Sequence, residues 1–256
     1  MIDIHCHILP AVDDGAKDKE MTLAMAEKAV EEGITTIFAT PHHGNGAFDN
    51  LKTSILDQVQ ELNELLAVSN IPLKVLPGQE PRIFGEMVES YRDGELLTLN
   101  NQDKYILVEF PSNHIPRYTN KLFFDLQQQG LTPIIVHPER NSELIENQEL
   151  VYKLVQDGAL TQVTAGSVTG RFGKKIQEFS IDLINHNLAH FLASDAHNTT
   201  NRSFHLREAY EKVEQECGSF YRYHLQENAE LLVKGQHVYV EPPERIVKRK
   251  KFFGIF

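Results

Sequence analysis

The sequence predicts an α/β protein, a distorted (β/α)7 barrel in one domain, and three observations carry that expectation. Short β-rich runs recur along the whole 256-residue chain, and helix-like segments separate most of them. Strands that alternate with helices are joined by crossovers, so a parallel sheet is the expected outcome. Seven such runs in about 200 residues fall one short of the eight-stranded barrel, which suggests an incomplete or distorted form of that plan. The third observation is chemical: every run but one ends in or beside His, Asp or Glu.

The first strand is expected over residues 1–5, and a helix over 21–32 follows. That helix has Leu23, Ala26 and Val30 as its apolar positions and stops at Gly33, a usual helix-ending residue. A second strand over 34–40, a helix over 51–68 and a third strand over 73–77 come next. The fourth strand, 105–110, precedes a helix over 118–129 that closes on Gly130. A fifth strand over 133–137 leads to a helix over 150–156, closed by Asp157-Gly158. The sixth strand, 160–164, a helix over 174–187 and the seventh strand, 191–194, complete the alternation. Ile, Val, Phe and Thr dominate the strand runs because branched and aromatic side chains pack well on a pleated surface. The remaining segment reads as two helices, 204–216 and 226–233. With neither an internal repeat nor a Ser/Gly/Pro-rich linker, residues 1–247 are expected to form one domain and 248–256 a basic, aromatic tail.

In such barrels the chemistry sits at the C-terminal ends of the strands. Strand one ends at His5 and His7, with Asp13 and Asp14 just beyond, and strand two runs into Thr40-Pro41-His42-His43. Side chains alternate along an extended chain, so His5 and His7 point the same way. The third strand leads to Gly78-Gln79-Glu80, the fourth contains Glu109, and the fifth ends His137-Pro138-Glu139-Arg140. Strand six ends without an obvious ligand in Thr164-Ala165-Gly166-Ser167, while strand seven ends Ser194-Asp195-Ala196-His197. Six of the twelve histidines therefore share one rim with Asp14, Glu80, Glu109 and Asp195. Carboxylates converging without a cation would repel and be driven partly neutral, so a multinuclear metal site is the expectation.

Imidazole and carboxylate without a thiolate cluster suit Mn, Fe or Zn rather than a closed structural site. The candidates outnumber the roughly four ligands of one tetrahedral zinc, which points to two or three ions sharing carboxylates. Paired ions favour in-line displacement at phosphorus, with a hydroxide between the cations as nucleophile. Arg140 and Arg202 fit that chemistry, since a guanidinium offers forked donors to phosphate oxygens. A cysteine-dependent phosphatase is excluded: the position six after Cys6 is Val12 and the one six after Cys217 is Tyr223, where an Arg is required. A Gly-rich phosphate loop ending in Lys-Ser/Thr is absent as well.

Composition bounds the partners. A net charge of −11 disfavours a nucleic-acid substrate. The tail is the exception, because Lys248-Arg249-Lys250-Lys251 precedes Phe252-Phe253-Gly254-Ile255-Phe256, and removing those four positive charges leaves −15. It is read either as a frayed, solvated end or as a docking peptide for a membrane surface or an acidic partner. No apolar stretch approaches the roughly 20 residues of a membrane span. A secretory signal is not expected, and two cysteines without a disulfide framework suit the cytoplasm.

These motifs together resemble the PHP (polymerase and histidinol phosphatase) superfamily of metal-dependent phosphoesterases. The resemblance runs from Asp3-Ile4-His5-Cys6-His7 through Asp13-Asp14-Gly15, Thr40-Pro41-His42-His43, Gly78-Gln79-Glu80 and His137-Pro138-Glu139-Arg140 to Ser194-Asp195-Ala196-His197. Ile8-Leu9-Pro10 and Pro138-Glu139-Arg140-Asn141 are similar to the bacterial tyrosine-protein phosphatases of the CpsB/CapC/YwqE type, as is the basic, aromatic C-terminus. The resemblance implies a PHP-type (β/α)7 barrel with three divalent ions, usually Mn2+, with Fe, Zn, Co or Mg as alternatives. It implies that His5, His7, Glu80 and Asp195 hold the first ion, that Glu80, Glu109 and His137 hold the second, and that Asp14, His42 and His197 hold the third. Asp14 is typical of the tyrosine-phosphatase subgroup, where many relatives have histidine. Arg140 and Arg202 match the residues that grip phosphate; the residues themselves show no dedicated acid, and His197 and a metal-bound water are the open choices for proton donor. His43 and His114 stay outside the ligand set. The implied partner is a bacterial tyrosine kinase in capsule or exopolysaccharide regulation.

Three other readings compete with this one. Another phosphoesterase on a similar scaffold, a histidinol-phosphate phosphatase or a TatD-like nuclease, would share the His-x-His opening. A deacylating amidohydrolase would use a strand-borne lysine, and no Lys stands at a strand end. A non-catalytic, metal-dependent module that binds a kinase would turn over no phosphoester.

Overall fold

The computed structural model describes residues 1–247, and the expected tail, 248–256, lies outside the described residues. Strand β1 (Ile2–Cys6) is followed by α1 (Lys19–Glu31), β2 (Thr36–Ala39), the short β3 (His42–His43) and α2 (Lys52–Val68). Then come β4 (Lys74–Pro77), the short β5 (Glu80–Pro81), α3 (Met87–Arg92), β6 (Tyr105–Val108), α4 (Thr119–Gln128) and β7 (Thr132–Val136). The chain continues through α5 (Ser142–Glu146), α6 (Gln148–Gln156), β8 (Leu160–Thr164), α7 (Ala165–Val168), α8 (Lys174–Asn185), β9 (Phe191–Ala193), α9 (Leu206–Cys217) and α10 (Ser219–Val233). The seven expected strands are present as β1, β2, β4, β6, β7, β8 and β9.

All strand pairs are parallel, as the alternation requires. They form a sheet β1-β2-β4, a sheet β6-β7-β8-β9 and the pair β3-β5, rather than one continuous ladder. Isolated parallel bridges, Cys6 with Ala196 and Arg82 with Glu109, link the larger sheets' neighbourhoods at two seams. At the first seam the side chain of Asp3 takes the Ser194 N–H at 2.9 Å, a donor that a regular ladder would give to backbone.

Two apolar clusters hold the fold. One lies between the sheets and the helices and includes Cys6, Ile37, Val75, Ile106, Ile135, Val163 and Leu192. The other gathers Ile4, Phe38, Leu76, Leu107, Ile134 and Phe191 from both larger sheets, with Ala229 and Leu232 of α10 packed against them. Ile4 and Cys6 are two residues apart yet pack in different clusters, which strict alternation forbids. The pairing of β1 with β2 slips by one residue between Asp3 and Cys6, and this irregularity changes the face.

The expected second C-terminal helix, 226–233, begins earlier, at Ser219. Gly218, at φ 100°, makes the break between α9 and α10, a conformation L side chains avoid. Its first turns carry Phe220 and Tyr223 exposed, so no apolar periodicity marked them. The helices α3, α5 and α7 are too short for periodicity to reveal. Among the described residues, no helix is long and apolar enough to cross a membrane.

Candidate metal centre

His5 leaves the end of β1, and His7 stands one residue beyond it. Their Nε2 atoms are 3.2 Å apart. Each is also close to Glu80 Oε2, at 3.4 Å from His5 and 3.3 Å from His7. Asp195 Oδ1 lies 3.6 Å from His5 Nε2 and 3.4 Å from His7 Nε2. The short strands β3 and β5 pair His42 with Glu80, and His42 Nδ1 sits 2.8 Å from Glu80 Oε2 and 3.9 Å from Glu109 Oε2. His137 Nε2 is 3.0 Å from Glu80 Oε1. On the outer side Asp14 Oδ1 lies 3.4 Å from His42 Nε2 and 3.2 Å from His197 Nε2.

Every residue of the expected ligand set thus enters one contiguous cluster, with Glu80 central. Three groups have donor atoms close enough to share an ion: His7, Asp14, His42 and His197; His5, His7 and Glu80; and His42, Glu80 and Glu109. His43 turns away to Asp49, at 2.9 Å, and His114 is exposed beside Asn113.

The imidazoles are aimed by their second nitrogens. His5 Nδ1 donates to Gln162 Oε1 at 2.8 Å, and His7 Nδ1 to Asp13 Oδ2 at 2.7 Å. His197 Nδ1 donates to the Asp195 carbonyl at 2.9 Å. Each bond leaves the Nε2 lone pair for a cation, which is how such outer partners fix a ligand. Asp13 and Gln162 were outside the expected site. Gln162 had one sequence signal, a polar amide in the otherwise apolar and Thr-bearing run of β8.

Local backbone also serves the cluster. A Cβ on Gly15 would come within 2.2 Å of the His7 carbonyl oxygen, so only glycine lets the Asp13-Asp14 loop close on β1. His137 and Asp195 adopt φ of 37° and 52°, the left-handed region that costs a non-glycine residue. Such strain persists where surrounding contacts impose it, and it concentrates at functional sites.

Two arginines meet on one carboxylate oxygen. Arg140 Nη1 and Arg202 Nη2 both donate to Asp195 Oδ2, the latter at 3.1 Å, and Arg202 Nη1 also reaches Asp14 Oδ2 at 3.4 Å. A third arginine was not foreseen: Arg82 Nε lies 3.0 Å from Glu109 Oε2.

The charge state of the cluster tests whether a metal fits. Burial opposes ionisation of Glu80, but His5 and His42 outweigh it and hold the carboxyl well below the usual range. Burial together with the neighbouring Glu80 pushes Glu109 up to about 7. Burial disfavours charge on His42 too, yet Glu80 and Asp14 raise it to about 9. The protein's own acids therefore demand positive charge that protonated imidazoles must supply. Burial, aided by Arg140, lowers His137 to about 4, and burial with His7 lowers His197 to about 4. Both rings are thus neutral, as ligands must be. His42 Nδ1, Glu80 Oε2, Glu109 Oε2 and His197 Nε2 are buried without a hydrogen-bond partner. Orphaned donors and acceptors at such a density are costly unless something else satisfies them. The residues fit divalent ions.

Fold and site define a class: a parallel α/β protein with a His/Asp/Glu cluster fit to hold metal at the strand ends. Residues 1–234 match the family of capsular polysaccharide synthesis proteins CpsB/CapC, and the chain belongs to that family. It is 52% identical over 256 residues to the tyrosine-protein phosphatase YwqE of Bacillus subtilis (strain 168), covering 100% of both chains. Its fold superimposes with a TM-score of 0.94 and 50% identity on a crystal structure from work on YwqE of Bacillus subtilis and CpsB of Streptococcus pneumoniae, metal-dependent tyrosine phosphatases. That match covers 97% of this chain and 100% of the other. The histidinol phosphate phosphatase of Lactococcus lactis shares the fold alone, with a TM-score of 0.54, 15% identity, and coverage of 84% of this chain and 94% of that one.

Proposed function

We propose that this protein is a metal-dependent protein-tyrosine phosphatase that hydrolyses phosphotyrosine, in the setting of capsule or exopolysaccharide synthesis. The observation that carries the reading is the cluster of orphaned, buried donor atoms around Glu80 beside two convergent arginines. In this reading His5, His7, Glu80 and Asp195 hold one ion, Glu80, Glu109 and His137 a second, and Asp14, His42 and His197 a third, with Mn2+ as the working metal. Divalent ions at such a site activate water and neutralise charge on the attacked phosphate.

The protein's own residues then bind and orient. Arg140 and Arg202 keep further N–H groups beyond those given to Asp195, and they grip phosphate oxygens as the charge develops. The lowered pKa of His197 favours its role as a ligand over that of a proton donor. A phenol, with pKa near 10, leaves with less help from an acid than an alkyl alcohol needs. Residues 1–247 make up the catalytic domain, read as a distorted (β/α)7 barrel because isolated bridges span both seams between the larger sheets. The partner is a bacterial tyrosine kinase, met in the cytoplasm, and residues 248–256 serve that docking.

Purified protein given phosphotyrosine, phosphoserine and phosphohistidinol side by side in Mn2+ tests the reading. Turnover of phosphotyrosine that a chelator abolishes is expected. Preference for phosphohistidinol would replace the substrate, and no turnover with any divalent ion would leave a binding module.

A further inference from the structure

The segment between β8 and α8 brings no ligand to the metal cluster, yet its loop after α7 carries Phe172, a large apolar side chain left 36% exposed. Its ring lies 5.4 Å from the guanidinium carbon of Arg140. One ring edge is seated on α7: a Cβ built on Gly166 would be 3.1 Å from Phe172 Cε2 and 3.3 Å from Cζ. The loop is tied down, with Arg171 N donating to the Gly166 carbonyl at 2.9 Å and the Gln177 amide to the Val168 carbonyl at 2.9 Å. Buried Glu139, beside Arg140 in sequence, accepts from Thr164 N at 3.0 Å and from Ser167 Oγ at 2.6 Å. That carboxylate joins the turn bearing Arg140 to the start of α7, so arginine and ring are held in register.

We propose that Phe172 is a specificity-determining residue that receives the aryl ring of the substrate. The inference rests on the phosphotyrosine reading above. With the Arg140 guanidinium carbon 5.4 Å from the ring centre, the ester substituent of a phosphate gripped by Arg140 is within reach of Phe172. A phenyl group there gains an offset or edge-to-face contact, while a serine side chain has nothing to offer the ring. The exposed position makes sense on this view, since an apolar ring beside a charged rim is otherwise left in water.

The test compares Phe172→Ala and Phe172→Tyr with the unaltered protein in Mn2+, measuring KM and kcat on phosphotyrosine and inhibition by inorganic phosphate, a ligand without a ring. Phe172→Ala should raise KM for phosphotyrosine about 3- to 10-fold, leave phosphate inhibition unchanged, and be rescued by Phe172→Tyr. Weakened phosphate inhibition in step with KM would overturn the proposal, because the ring would then act only by bracing Arg140. An unchanged KM would overturn it too. Should Phe172→Ala fail to fold, Phe172→Leu, which fills most of the volume without a π-face, decides by the same criteria. Absence of phosphotyrosine turnover in the unaltered protein would instead defeat the phosphatase reading itself.

Discussion

The same strands do opposite things at their two ends. In their interior, Ile4, Phe38, Leu76, Leu107, Ile134 and Phe191 pack with α10 into an apolar cluster whose atoms need nothing but each other. At the C-terminal ends, His5, His7, His42, Glu80, Glu109, His137, Asp195 and His197 are buried or nearly so, but His42 Nδ1, Glu80 Oε2, Glu109 Oε2 and His197 Nε2 lack hydrogen-bond partners. Burial stabilises the first region by removing apolar surface from water, and it makes the second region demand a cation. The fold's stability is thus concentrated where the chemistry is not, and mutations at the two ends should separate function from folding.

The largest effect is expected at the hub. Glu80→Ala or Asp195→Ala should nearly abolish turnover and lower bound metal by elemental analysis, with far-UV circular dichroism unchanged. Metal retained at full occupancy would remove either residue from the ligand set. Arg140→Ala should reduce kcat/KM by about 10²- to 10³-fold, on the scale of a lost oxyanion donor, without loss of metal. Unchanged kinetics would take that arginine out of the site. At the apolar end Phe191→Ala should cost about 3–5 kcal/mol in urea unfolding, while turnover per folded molecule persists.

Chelation couples the two regions. A site filled at a hundred times its dissociation constant stabilises by about 2.7 kcal/mol, so metal removal should lower the melting temperature measurably. A melting curve indifferent to chelator would mean that the cluster holds no ion.

A pH-dependent difference is expected at His190, buried on the approach to β9. Burial, with His224 nearby, lowers its pKa to about 3. The unfolded chain takes up this proton as pH falls below about 6.5 whereas the folded chain refuses it, so the stability present above that pH is lost on acidification toward about 3. His190→Gln should flatten the fall in stability by about 1.4 kcal/mol per pH unit within that window, read from unfolding curves at several pH values. The smallest effect belongs to the tail: deleting 248–256 should spare small-substrate turnover and slow a phosphoprotein substrate only. Equal loss on both would make the tail structural.

Much of this is legible in the sequence. The seven strands are local events, written in short apolar runs, and the residues that gather at the rim lie at or just beyond their ends. The short strands β3 and β5 escaped because two residues carry no periodicity, although His42 and Glu80 were marked by their chemistry. Gln162, marked only as a polar amide in an apolar run, and Arg82 were missed for another reason. Nothing near either in sequence says which imidazole or carboxylate it will meet 157 or 27 positions away.

Sequence alone therefore determined the alternation of strand and helix, the rim on which the acids and imidazoles gather, and the metal chemistry those residue types allow. The resemblance already placed Glu80 in two ion sets, but only tertiary structure decided that Arg140 and Arg202 converge on one oxygen of Asp195 and that Phe172 stands beside Arg140. Periodicity is a property of neighbours along the chain, whereas these contacts join separate strand ends, and packing of the two sheets alone brings them within reach.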